Sequence, residues 1–199
     1  MAPLPSPTGF MGIAFGLALG CSTAAPVVAN PDVWVKVKYL LTFSETALTG
    51  LKIDWAFDPF LSNRVITQFD ADNDRAFSAE ETQALKSALF DPLTDKHYFL
   101  QVISGDTAQP IRFDAIVPRI EGDQFAVTFT ATPQDPIDYH RTPVAIGTYD
   151  ADVFFDFTLA DAEFLRVDGP FDPSCRFRVQ AGEGPLRDVP QTVVLLCSE

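Results

Sequence analysis

The sequence is poor in several residue types that support common kinds of chemistry. Its 199 residues include two histidines, three cysteines and 14 lysines and arginines, against 27 aspartates and glutamates. The resulting net charge of −13 excludes an unaided electrostatic grip on nucleic acid phosphates and disfavours binding to anionic membrane surfaces. The composition remains compatible with a protein that binds small molecules, cations or basic proteins, or with one that has a structural role.

Motifs of the common enzyme classes are also absent. The sequence has no GxSxG nucleophile elbow, no phosphate-cradling glycine loop, no HExxH and no dinucleotide fingerprint. His97 and His140 are isolated, and a lone histidine is more often a surface or core residue than a metal ligand. Asp150 and Asp152 alternate beside a turn and are interpreted as solvated acids. We therefore expect a protein that is not an enzyme.

The N-terminal segment has an apolar run that is too short to span a bilayer. Phe10–Leu19 (FMGIAFGLAL) has the length of a signal-peptide core, and residues 1–29 carry no charged side chain. Val27-Val28-Ala29 offers a signal peptidase site, which predicts a signal peptide over 1–29 and an exported, periplasmic chain that begins at Asn30. A second route is open at Cys21, where Ala-Leu-Gly-Cys resembles a lipobox and would produce a lipoprotein.

The cysteine count supports the same compartment. Removal of Cys21 leaves Cys175 and Cys197, and an even number of cysteines in an exported chain indicates a disulfide. Closing a ring of about 20 residues would stabilise the fold by on the order of 3 kcal/mol. The alternative is two buried free thiols.

Residues 30–199 are predicted to form a single α+β domain of antiparallel strands, either a β-sandwich or an open barrel. Apolar and polar residues alternate over Val33–Phe43 and Thr49–Phe57, which predicts a hairpin with one face in the core. Shorter segments between Gly, Pro and Asp clusters predict the remaining strands. These are His97–Ile103, Ile111–Ile120, Phe125–Ala131, Asp152–Leu159, Cys175–Gln180 and Thr192–Cys197.

An inserted helix–loop–helix over about 59–91 interrupts this β pattern. Asp58-Pro59 supplies an N-cap acid and a proline at the first helical position. Ser78 and Glu81 form a capping box that starts the second helix, which is predicted to end near Asp91-Pro92.

The loop between these helices matches the twelve-residue EF-hand calcium loop in register. Its spacing of short carboxylates brings hard oxygen ligands inward, and a longer glutamate from the next helix completes the shell. Phe77 stands where an EF-hand carries an apolar anchor. The predicted Ca²⁺ ligands are Asp70, Asp72, Asp74, the Ala76 carbonyl, Ser78 and Glu81, at positions 1, 3, 5, 7, 9 and 12. The alternative is an acidic, solvated turn without an ion.

Arg75 departs from the EF-hand pattern because position 6 normally holds a glycine with positive φ. A side chain in that conformation costs roughly 1 to 2 kcal/mol, and its positive charge weakens cation binding further. With no second loop to pair with, the site is expected to have micromolar to millimolar affinity, the range of extracellular modules.

Four segments of the mature chain carry a resemblance to a known family, namely Asn30–Val35, Gly50–Asp58, Asp70–Glu81 and Thr148–Asp156. Together they resemble the bacterial domain-of-unknown-function 1007 family, over essentially the whole mature chain. The resemblance implies a periplasmic component of a transport system that works beside an inner-membrane permease, often one for nickel or cobalt. Members usually begin with His-Pro-His-Val, whereas Asn30 and Asp32 replace both histidines here.

These observations give three hypotheses. The first is a non-enzymatic, exported Ca²⁺-binding accessory or binding protein of a membrane transport system. The second is a periplasmic chaperone that hands Ni²⁺, Co²⁺ or Zn²⁺ to a permease, and it would depend on His97, His140 or Asn30. The third is a hydrolase with carboxylates around the bound ion.

Overall fold

The described part of the chain, residues 31–161 and 163–197 of a computed structural model, is built mainly from β-strands with a few short helices. This confirms the α+β class. The predicted signal peptide over 1–29, with Cys21, lies outside the described residues. Within those residues, no helix combines the length and the apolar character needed to cross a membrane.

The strands form two separate sheets. The first has the order β10-β1-β2-β6-β5, with β7 on β2 and β9 on β1, and the second has the order β11-β12-β8-β3-β4. In chain order the strands are β1 Val33–Phe43, β2 Ala47–Phe57, β3 Leu100–Ser104, β4 Thr107–Ala108, β5 Ile111–Glu121, β6 Gln124–Pro133, β7 Ile137–Asp138, β8 Val144–Thr148, β9 Phe155–Leu159, β10 Leu165–Asp168, β11 Cys175–Gln180 and β12 Thr192–Cys197.

The first sheet is mixed, which corrects the prediction of an antiparallel framework. β1 pairs antiparallel with β2 on one edge, and on its other edge it pairs in parallel first with β9 and then with β10. Parallel neighbours need long connections, and here residues 44–154 separate β1 from β9. The two sheets do not join into a closed barrel.

The larger of two hydrophobic clusters lies between the two sheets. The alternation in β1 and β2 buries one face of each strand, as predicted, and Trp55 and Tyr39 are almost fully enclosed. Val102, Ile146 and Val193 enter the same core from the second sheet. Tyr39 Oη and Thr148 Oγ1 share a hydrogen bond of 2.7 Å that ties β1 to the second sheet, and burial raises the pKa of Tyr39.

Cys175 and Cys197 form a disulfide, which confirms the predicted pairing. The two residues lie directly opposite each other in the antiparallel β11–β12 pair. The bridge closes a chain separation of 22 residues and fixes the final strand to β11. Such a bond is compatible with an oxidising, exported compartment.

Two helices separate β2 from β3. Helix α1 spans Pro59–Phe69 and helix α2 spans Ala79–Leu85, which continues as a π-helical turn over Lys86–Phe90 and a 3₁₀ segment over Asp91–Phe99. Asp58 caps α1 by accepting the amides of Phe60 and Leu61 at 2.8 and 3.0 Å. The buried Ser62 hydroxyl donates to Phe57 O and accepts the Phe125 amide, so α1 is fastened to β2 and β6.

Two predicted strands begin later than the sequence pattern suggested. His97, Tyr98 and Phe99 have positive φ angles, so the segment predicted as a strand from His97 becomes extended only at Leu100. Asp150 is buried and its carboxylate accepts the amides of residues 152, 154 and 155 at 3.1 Å. Because of this turn, β9 begins only at Phe155. Asp150 is therefore a buried hydrogen-bond acceptor that holds the turn, and the interpretation of it as a solvated acid is wrong.

Candidate metal-binding loop

Residues 70–78 form an irregular loop of bends between α1 and α2. Asp70 is the C-cap of α1, and Ser78 is the N-cap of α2. The predicted starts of α1, after Asp58, and of α2, after Ser78, are both confirmed. Asp70 and Ser78 are the first and ninth loop positions, so each of these positions lies at a helix end.

The structure brings the three loop aspartates together. One carboxylate oxygen each from Asp70, Asp72 and Asp74 lies within 4.8 Å of the other two. Asp70 is 2% exposed, whereas Asp72 and Asp74 are exposed. Three negative charges this close repel one another, and burial of Asp70 weakens the solvent screening of that repulsion.

Backbone amides of the loop hold these carboxylates in place. Asp70 accepts the Asp74 amide at 3.1 Å and the Arg75 amide at 3.2 Å. Asp72 also accepts the Asp74 amide at 3.2 Å, and Asp74 accepts the Ala76 amide at 2.8 Å. Each bond turns the chain tightly around an acidic side chain, so the loop's own N–H groups point at its anionic centre.

Glu81 is held in a different way. Its Oε2 accepts the Ser78 amide at 2.8 Å, and Ser78 Oγ accepts the Glu81 amide at 3.3 Å, which completes the predicted capping box. Its Oε1 accepts the Ala71 amide at 2.6 Å. The hydrogen bonds from Ser78 and then Ala71 lower the pKa of Glu81. Glu81 therefore connects the start of α2 with the second loop position, while Ala76 contributes its amide to Asp74.

Arg75 adopts the conformation that the sequence predicts for the sixth loop position, with φ of 71°. Its guanidinium hydrogen-bonds to Gly122 O and to Asp123, both in the turn between β5 and β6. Among the described residues, its ion pair is with Asp123 and not with the loop aspartates. The sequence did not predict that Arg75 pairs with Asp123, because the two residues are 48 positions apart and no local pattern links them. The Gly-Asp dipeptide at 122–123 indicates a turn but not its partner.

Phe77 anchors the loop to the core. Its ring packs edge to face against Phe125 of β6, with 6.1 Å between ring centroids. Phe125 in turn stacks on Phe57 at 5.0 Å. The loop is therefore fixed to the first sheet by an apolar contact on one side and by the Arg75 contacts on the other.

The histidines do not form a comparable site in the described part of the chain. His140 lies near Cys175 and Cys197, but those sulfurs are joined in the disulfide and are not free thiolates. His140 Nε2 instead lies 3.1 Å from Asp172 Oδ2. His97 belongs to no group of metal-ligating side chains among the described residues, and Asn30 lies outside them.

The fold and the loop define a sheet-rich α+β protein with an acidic, helix-bounded loop. The chain belongs to the family described as Protein of unknown function (DUF1007), whose family model matches residues 15–186. This match confirms the family resemblance. No curated protein matches the sequence.

The lowered pKa of Glu81 predicts a specific pH dependence of stability. Because the unfolded glutamate binds protons more readily than the folded one, its contribution is present at neutral pH and is lost as the pH falls below about 5. We expect wild type to lose stability more steeply than Glu81→Gln between about pH 5 and 3 in urea titrations with chelator. Glu80→Gln removes a neighbouring charge but none of these hydrogen bonds and is the matched control. Equal pH slopes for wild type and Glu81→Gln would contradict the assignment.

The positive φ of Arg75 predicts an order of stability between two variants. Arg75→Gly and Arg75→Ala both remove the contacts to Gly122 and Asp123, but only alanine keeps a Cβ in the left-handed conformation. We expect Arg75→Gly to be more stable than Arg75→Ala by about 1 kcal/mol. The comparison is made by urea unfolding in chelator, and an alanine variant at least as stable as the glycine variant would show that the loop does not impose this conformation.

Proposed function

We propose that this protein is an exported, non-enzymatic Ca²⁺-binding protein that serves a membrane transport system as an accessory or binding component. The observation that carries the calcium part is the convergence of the Asp70, Asp72 and Asp74 carboxylates within 4.8 Å on a loop bounded by two helices. The transport part comes from the family resemblance alone.

The donor set suits calcium better than a transition metal. Asp70, Asp72, Asp74, the Ala76 carbonyl, Ser78 and Glu81 offer only oxygen, and Ca²⁺ takes six to eight hard oxygen ligands. Imidazole and thiolate groups favour Ni²⁺, Cu²⁺ or Zn²⁺, and the proposed set contains neither. A divalent cation would also offset the mutual repulsion of the aspartates.

Calcium would join the two helices, a structural role that we favour over a regulatory one. Asp70 ends α1 while Ser78 and Glu81 begin α2, so a single ion held by these residues would connect two helix ends. Glu80 and Glu81 already complement the positive end of the α2 dipole, and the ion would act from the loop side.

Export is supported by two independent features. The sequence of residues 1–29 resembles a signal peptide, and the Cys175–Cys197 disulfide is compatible with an oxidising compartment. In such a compartment calcium is more abundant than in the cytosol, so a single loop of modest affinity would be loaded. The resemblance supplies a permease as the partner.

The metal-chaperone alternative has less support. It requires nitrogen or sulfur donors, but the cysteines beside His140 are oxidised and Asp172 occupies its Nε2. The hydrolase alternative also has less support, because the carboxylates and the Ser78 hydroxyl at the loop already accept backbone amides.

Calcium binding is tested on the full chain by thermal melting and calorimetry. After chelator treatment, we expect Ca²⁺ to raise the melting temperature, with a stabilisation of about 2.7 kcal/mol at 100 times Kd. Asp72→Asn should weaken calcium binding at least about tenfold because it removes one charged ligand. Asp135→Asn, which neutralises an exposed loop aspartate elsewhere, should bind as wild type does.

The choice of ion separates the alternatives. Mg²⁺ is expected to stabilise the protein less than Ca²⁺, because it demands a small octahedral shell and holds its waters tightly. A shift with Ni²⁺ or Zn²⁺ but none with Ca²⁺ would reject the calcium proposal. A shift with Ca²⁺ that Asp72→Asn leaves unchanged would place the ion elsewhere.

A further inference from the structure

A cavity of about 550 Å³ lies between the helices and the edge of the core. Its walls come from α1, from the continuation of α2 and from β2 and β6, and most of its lining is aromatic or aliphatic. The volume falls in the range of small-molecule sites, about 300 to 1,000 Å³. Neither the calcium proposal nor the packing of the sheets uses this cavity.

The mouth of the cavity carries exposed aromatic side chains. Phe60 on α1 is 69% exposed and Phe154 before β9 is 49% exposed, and both line the cavity. Large apolar side chains grouped at an opening are typical of surfaces that bind a ligand. The cavity thus continues outward as an apolar rim.

Arg64 places a positive charge at the same opening. It lies one helical turn after Phe60, and its guanidinium carbon is 5.7 Å from the centre of the Phe60 ring. Among the described residues it forms no ion pair, although the chain has 27 acidic side chains and six of its eight other arginines are paired. An unpaired arginine beside an apolar cavity is suited to an anionic group on an apolar molecule.

We infer that this cavity binds a small amphiphile of the fatty-acid type, with its carboxylate at Arg64 and its apolar part between Phe57, Leu61 and Phe125. Arg64 and Asp32 are the two charged residues that line the cavity, and only Arg64 offers the N–H donors that hold a carboxylate. The aromatic lining suits a hydrocarbon body. The inference is independent of the calcium proposal, because no predicted calcium ligand lines the cavity.

The indole of Trp55 can report ligand binding in the cavity by its fluorescence. Trp55 lies in the cavity wall, and its indole N–H has no hydrogen-bond partner among the described residues. The chain has two tryptophans, so Trp34→Phe leaves Trp55 as the single indole reporter. Trp34 donates its backbone amide to Asp58, and this bond survives the substitution.

The experiment titrates the full-length Trp34→Phe protein with dodecanoic acid and with dodecanol. We expect a saturable change in Trp55 fluorescence at one molecule per chain, with dodecanoic acid binding more tightly. Arg64→Gln should weaken dodecanoic acid about fivefold and leave dodecanol almost unchanged, as expected for an exposed charge pair. Arg176→Gln, on the exposed face of β11, is the matched control and should have no effect.

A cavity-filling variant keeps the inference falsifiable if the charge effect is small. Leu61→Phe combined with Leu89→Phe adds volume from two walls and should weaken both probes, with the fold checked by circular dichroism. Absence of saturable binding, or binding that neither Arg64→Gln nor the double variant alters, would overturn the inference. Equal affinity for the two probes with no effect of Arg64→Gln would overturn the carboxylate assignment.

Two other occupants are distinguished by the same assay. A synthetic peptide of residues 10–19 that displaces dodecanoic acid at lower concentration would assign the cavity to an apolar peptide segment. Concentration-dependent dimerisation in sedimentation, abolished by Phe60→Ser, would assign it to a second copy of the chain. Either result would overturn the fatty-acid inference.

Discussion

Burial of the aromatic side chains around Trp55 is the constraint on which the other parts of the structure depend. The Trp55 ring lies 4.5 Å from Phe129 of β6, 4.9 Å from Phe157 of β9 and 6.3 Å from Phe99, measured between ring centroids. These contacts join the centre of the first sheet, its parallel edge and the segment that leads into the second sheet. Aromatic pairs of this kind add packing energy to the area that they bury.

The acidic loop takes its position from this core. Phe57 ends β2, stacks on Phe125 and is followed directly by the Asp58 cap of α1, while Phe77 packs on the same Phe125 ring. The start of α1 and the C-terminal part of the loop are thus both fixed to one aromatic pair. A loop held in this way retains its turns, and the turns hold the aspartate oxygens close together. The core therefore provides the preorganisation that a metal site needs.

Local signals in the sequence were sufficient for much of this arrangement. The alternation in Val33–Phe43, the Asp58-Pro59 cap and the Ser78–Glu81 capping box each depend on neighbouring residues, and each appears in the structure as predicted. The disulfide followed from a cysteine count. The loop aspartates also converge as their spacing suggested, since an alternating spacing on a tight turn places them on one side.

The parts that escaped prediction depend on distant contacts. β8 is buried on both faces and shows little alternation, and a side chain on its Gly147 would meet Val189. β10 is mostly exposed and exists because it completes the outer edge of β1. The cavity with its unpaired Arg64 is built from five separate segments, so no single stretch of sequence indicates it.

The most direct test of the central claim is a crystal structure of the protein grown with calcium. The account predicts one ion at the loop, with oxygen ligands at about 2.3 to 2.6 Å from Asp70, Asp72, Asp74, the Ala76 carbonyl, Ser78 and Glu81. It would be contradicted by an ion bound elsewhere, or by loop carboxylates that remain on their backbone amides with no ion at saturating calcium.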